Sequence, residues 1–124
     1  MDAFRDFLAT PEGVIFAQVV KGTFYSLDWT DPVSAIYEEF CAPLKWEHRI
    51  SLWNALIELV QAVESGKDNE TAQPLLKRVE VLFAEMVQKD ELQRAKNNGG
   101  RPWSGAAKRA FGDIANLRVR MLGV

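Results

Sequence analysis

Cys41 and His48 are the only thiol and the only imidazole in the chain, so any nucleophile–base pair that relies on either must use them. They stand on either side of Pro43 and would meet only if the turn between them happened to bring them together. We expect a structural cysteine and an ordinary capping or surface histidine. A zinc site needs several Cys, His or clustered carboxylates, which one Cys and one His do not supply. A di-iron bundle needs two inward-facing Glu-x-x-His pairs, and none is present. Glu38 and Glu39 follow Tyr37 on the expected outer side of a helix, and Glu58 falls on a polar stripe. Gly99-Gly100 lacks both the strand before it and the Lys-Ser/Thr after it that make a phosphate-cradling loop. The expectation is a protein that is not an enzyme, with no metal and no cofactor.

Binding chemistry is better represented. The stretch NNGGRPWSG sets Arg101 and Trp103 on a glycine-rich loop, a combination suited to phosphate contact and base stacking. Lys108, Arg109 and Arg120 follow on the polar side of the expected last helix and would extend that positive track. The amides near Ser104 could add an anion-friendly helix end. The opposite charge collects earlier: Asp28, Asp31, Glu38 and Glu39, with Trp29 among them, could form an acidic face that meets a basic protein. Each set has a plainer alternative. Trp103 can tuck under the bundle as an apolar anchor, and the acids can be the solvated side of amphipathic helices.

The net charge of −2 conceals a division along the chain. Residues 1–88 carry seven Lys/Arg against fourteen Asp/Glu, a local −7, whereas residues 89–124 carry eight against three, a local +5. Such asymmetry points to a polyanionic partner, or to a basic tail docked on the chain's own acidic half.

The elements that must position these residues centre on 45–66, KWEHRISLWNALIELVQAVESG. Its polar residues Glu47, Ser51, Asn54, Glu58, Gln61 and Ser65 recur at steps of four and three, and nearly everything beside that stripe is apolar. A helix dry on most of its circumference needs neighbours on several sides. We expect it to be the central helix, about residues 44–65, of an all-α bundle of five or six helices forming one domain over residues 1–124.

Residues 2–8 make a short first helix with Phe4, Phe7 and Leu8 inward. Thr10-Pro11 reads as a cap followed by proline at the first helical position, and Gly22 as the stop of a second helix. The β-branched and aromatic arms VIFAQVV and TFYSLDW leave a hairpin open as the alternative, although neither alternates cleanly. Asp31-Pro32 opens a further helix, with aspartate as its cap, proline in its first turn and Val33, Ile36, Tyr37 and Phe40 on one face. Thr71 is the expected cap of the next, with Pro74 in its first turn and Leu75, Val79, Leu82, Phe83 and Met86 as its core stripe. That helix either ends near Asp90 or continues as a solvated extension to about Ala95. After the break at 97–100, a last helix runs from Ser104 to about Leu122 with Ile114, Leu117 and Met121 inward. Arg118 falls within its apolar sector, where it must snorkel or pair.

Length and composition bound the rest. At 124 residues and 48% apolar content the chain can bury a real core without disulfides, which its single cysteine could not form anyway. The longest apolar run, 14–17, is too short to span a bilayer, and the first residues do not resemble a signal peptide. A cytoplasmic location is the default expectation. Together these features suggest a small helical subunit or adaptor of a protein–nucleic-acid assembly, riding on a larger protein complex and touching RNA or single-stranded DNA through its backbone. Small helical subunits of CRISPR effector complexes offer an analogy of fold and charge alone, with no motif behind it. The alternative is a protein-only binding module, an immunity or inhibitor protein that uses its acidic face.

Overall fold

The computed structural model describes residues 2–23, 25, 27–45, 49–98 and 114–123. Every regular element among the described residues is helical: α1 (Asp2–Ala9), α2 (Pro11–Val20), α3 (Asp31–Ile36), α4 (Ile50–Glu64), α5 (Asn69–Asn98) and α6 (Ile114–Leu122). The all-α bundle anticipated from the apolar periodicity is the architecture found, and the hairpin alternative for 14–29 is excluded.

α1 and α2 meet at a tight corner made by two small residues. The Thr10 hydroxyl donates to the Phe7 carbonyl at 2.6 Å and accepts from the Gly13 amide at 3.1 Å, so it stops one helix and caps the next. Gly13 lies so close to α1 that an added Cβ would stand 1.8 Å from the Phe7 carbonyl oxygen. α2 is apolar on most sides and buries Phe16, Ala17, Val19 and Val20 among α1, α4 and the segment after α3. That cover is why a β-rich composition settles as helix: the tertiary surroundings outweigh a modest local propensity. Gly22, at φ +79°, closes α2 with the Thr23 amide bonded to the Gln18 carbonyl at 2.9 Å.

α3 departs from expectation at both ends. Its cap is Thr30 rather than Asp31, which stands inside the first turn together with Pro32. Its far end widens into a π-turn, Tyr37–Cys41, closed by the Ala42 amide on the Tyr37 carbonyl, and then tightens into a 3-10 turn, Ala42–Lys45. The wide turn lets two consecutive side chains, Phe40 and Cys41, both enter the core. Ile36 and Tyr37 pack at its edge.

The central helix begins later than expected, at Ile50, because Pro43 and its neighbours form the separate 3-10 turn. Trp46, Glu47 and His48 lie outside the described residues. From there the pattern holds: Ser51, Asn54, Glu58, Gln61 and Ser65 are exposed while Leu52, Leu56, Leu59 and Val60 are fully buried. Each of those four apolar side chains contributes about 1.5–3 kcal/mol on transfer from water.

α4 packs along α5, α5 along α6, and α6 back onto α1, which closes the ring of helices. Two expectations for α5 need correction. Asp68, not Thr71, is the cap: its carboxylate accepts from the Thr71 amide at 2.8 Å. Pro74 therefore stands in the second turn, where its missing amide leaves the Glu70 carbonyl without the usual i+4 donor. The helix nonetheless runs unbroken through Asp90 to Asn98, 30 residues in all. Leu76, Val79, Phe83 and Met86 are its buried line, with Leu75 and Leu82 at the margin. α6 is described from Ile114, and Ile114, Leu117 and Met121 face inward as anticipated. Ser104 and the earlier part of that expected helix lie outside the described residues.

Candidate charged surfaces

The connection from α2 to α3 and the outer side of the π-turn carry the acidic set. Asp28, Trp29, Asp31, Glu38 and Glu39 are all exposed. Trp29 is held edge-on to Tyr37, ring centroids 5.6 Å apart at 72°, the T-shaped arrangement aromatic pairs favour, and keeps 45% of its surface open. Asp28, Asp31 and Glu38 form no ion pair among the described residues. A half-open indole among carboxylates that form no ion pair is chemistry for a cationic side chain.

Of the basic set, Arg101, Trp103, Lys108 and Arg109 lie outside the described residues. Arg120 lies within them, and its surroundings differ from a free phosphate-facing position. Its guanidinium donates to the Glu39 carboxylate and stands 5.4 Å from the Phe40 ring centroid. The acidic and basic sets thus meet at one point, and both side chains there remain about half exposed. A pair so open to water contributes little to stability. Arg118 is half-buried and forms no ion pair among the described residues.

Two features had no counterpart in the sequence reasoning. The first is a line along α5. Arg78, Lys89 and Lys96 are spaced by eleven and seven residues, intervals that return to the same side of an α-helix, and all three are exposed. None forms an ion pair among the described residues, and Glu85 is the acid between them. The line extends about 27 Å at 1.5 Å per residue. Helical spacing could have revealed it, but the charge count split it across the boundary at 88. The second is Arg49, wholly buried at the foot of α4 and paired with Asp90 of α5.

Cys41 is fully buried, as expected of a structural cysteine, and Glu58 is solvated on the polar stripe of α4. Among the described residues no group of three or more His, Cys, Asp or Glu could hold a metal, and no helix is long and apolar enough to cross a membrane. No family model matches the chain, and neither the curated proteins nor the solved structures give a match.

Proposed function

We infer that the chain is a non-enzymatic helical subunit of a protein–nucleic-acid assembly. The observation that carries this reading is the line Arg78, Lys89 and Lys96 on α5, three exposed cations that form no ion pair among the described residues, with Glu85 between them. Cations about 16 and 10 Å apart along one helix can each meet a separate phosphate of a backbone, a contact that supplies affinity without reading sequence. Arg101, Trp103, Lys108 and Arg109 follow in the chain and would add charge and a stacking surface to the same partner. The acidic and aromatic surface of Asp28, Trp29, Asp31 and Glu38 belongs to other elements and would hold a basic protein neighbour.

The test is the salt dependence of binding to mixed-sequence RNA and to single- and double-stranded DNA. Phosphate contact makes the logarithm of affinity fall linearly with the logarithm of salt, by about 0.9 per neutralised phosphate on duplex DNA. Changing Arg78, Lys89 and Lys96 together to Ala should reduce that slope by about 2–3 on duplex DNA, in line with about one per phosphate contact. An unchanged slope, or no binding at low salt, would remove nucleic acid from the proposal.

One observation favours the protein-only reading. Arg120, the expected end of the phosphate track, is engaged by the chain's own Glu39. On that reading the partner is a basic protein alone, captured on Asp28, Trp29, Asp31 and Glu38. Co-purification from the native host, with and without nuclease, separates the two.

A further inference from the structure

The α1–α2 corner, the π-turn and the end of α6 surround an open cavity of about 340 Å³, lined by Phe7, Thr10, Glu12, Phe40 and Arg120. Small-ligand pockets begin at about this size. We propose that it binds a small monocarboxylate carrying an aromatic or branched apolar body. This site is independent of the phosphate line on α5.

The apolar part of the ligand has a floor. Phe7 and Phe40 stand 5.6 Å apart at 46° and line the cavity, although each keeps little of its surface open. Thr10 adds little polarity, since its hydroxyl already donates to the Phe7 carbonyl and accepts from the Gly13 amide. The π-turn brings Phe40 to the wall beside the residue that pairs with Arg120, Glu39, and such turns recur at functional sites.

The charged end has one donor. Arg120 is held over the Phe40 ring and against Glu39, which fixes the plane of its guanidinium. Glu39 accepts through one oxygen from one terminal nitrogen, whereas a guanidinium offers five N–H groups. A ligand carboxylate can take those that remain, or displace Glu39 from an exposed pair that holds it weakly. Glu12, on the rim, forms no ion pair among the described residues and would repel a second carboxylate. The preference is therefore for a single negative charge.

The experiment compares 3-phenylpropionate with its uncharged primary amide by amide-resonance titration of the full chain. The acid should shift resonances around Thr10, Gly13 and Phe40 and bind up to about fivefold more tightly than the amide, the difference a solvent-exposed ion pair supplies. Arg120→Gln should abolish that preference, while Glu39→Gln, by removing the internal competitor, should tighten the acid severalfold. Arg120 is exposed, so its replacement leaves the bundle folded. Acid and amide binding alike, shifts clustered elsewhere, or Glu39→Gln weakening the acid would each overturn the proposal.

Discussion

The Arg49 guanidinium, with none of its surface exposed, is paired with the Asp90 carboxylate forty-one residues away, and this joins the foot of α4 to the C-terminal third of α5. The pair ties the two most extensively packed helices of the bundle. Removing one partner of a buried pair takes away the counter-charge of a group in a medium that solvates it poorly. Asp90→Ala should therefore cost about 3–5 kcal/mol, read as a lower denaturant midpoint in urea unfolding. Replacing both residues with apolar ones of similar volume should recover much of that loss. A double variant no better than the single one would show that neighbours other than the pair set the cost.

The surface pair behaves in the opposite way. Arg120 and Glu39 are each about half exposed, so Glu39→Gln should change stability by no more than about 1 kcal/mol. The same unfolding measurement checks it, and a loss comparable to that of Asp90→Ala would contradict the assignment.

Gly13 is required by proximity rather than by backbone conformation, since only Gly22, Gly66 and Gly123 have positive φ among the described residues. Gly13→Ala would drive a methyl group into the Phe7 carbonyl and force α1 off α2. A loss of about 3 kcal/mol, the upper end for overpacking, is expected, and calorimetry of the unfolding transition measures it.

Pro74 sits in the second turn of α5 with an exposed side chain. Pro74→Ala restores a backbone donor to the Glu70 carbonyl and should stabilise the protein by up to about 3 kcal/mol. A melting temperature that falls instead would mean that the ring relieves strain at this point.

Asp68 gives the fold an acid-sensitive cap. Hydrogen bonds from the Thr71 side chain and amide hold its carboxyl below the ordinary value of 3.8. A carboxylate depressed in the folded state adds stability that is whole above the unfolded value and is lost as the pH falls through the folded one. Asp68→Asn should therefore flatten the stability profile below about pH 4. A carboxyl-carbon titration of Asp68 with its midpoint at or above 3.8 would refute this.

The helices were legible where one local signal sufficed. The stripe of Ser51, Asn54, Glu58 and Gln61 marked the dry sides of α4, and Thr10-Pro11 together with Gly22 bracketed α2. Signals that depend on distant partners were not legible. Arg49 reads as part of a polar flank until Asp90 is brought beside it. The π-turn adds one residue to a helical repeat without altering its composition, so the turn that admits Phe40 and Cys41 side by side leaves no mark in the periodicity. Thr71 looked like a cap because capping residues share one chemistry, and Asp68 three positions earlier satisfied the same need.

Charge was the least legible property of all. A tally along the chain separates an acidic part from a basic one, yet folding sets Arg78 in line with Lys89 and Lys96 and brings Arg120 to Glu39. The candidate surfaces therefore follow helical faces rather than stretches of sequence.

The burial of Cys41 supplies a natural reporter on this arrangement. Its sulfur lies in the π-turn, enclosed by core residues, and it is the only thiol in the chain. A thiol-reactive dye added to the unaltered protein would have to wait for that region to breathe. The rate of colour development would then time the opening of the bundle beside Phe40, without any label having been engineered into it.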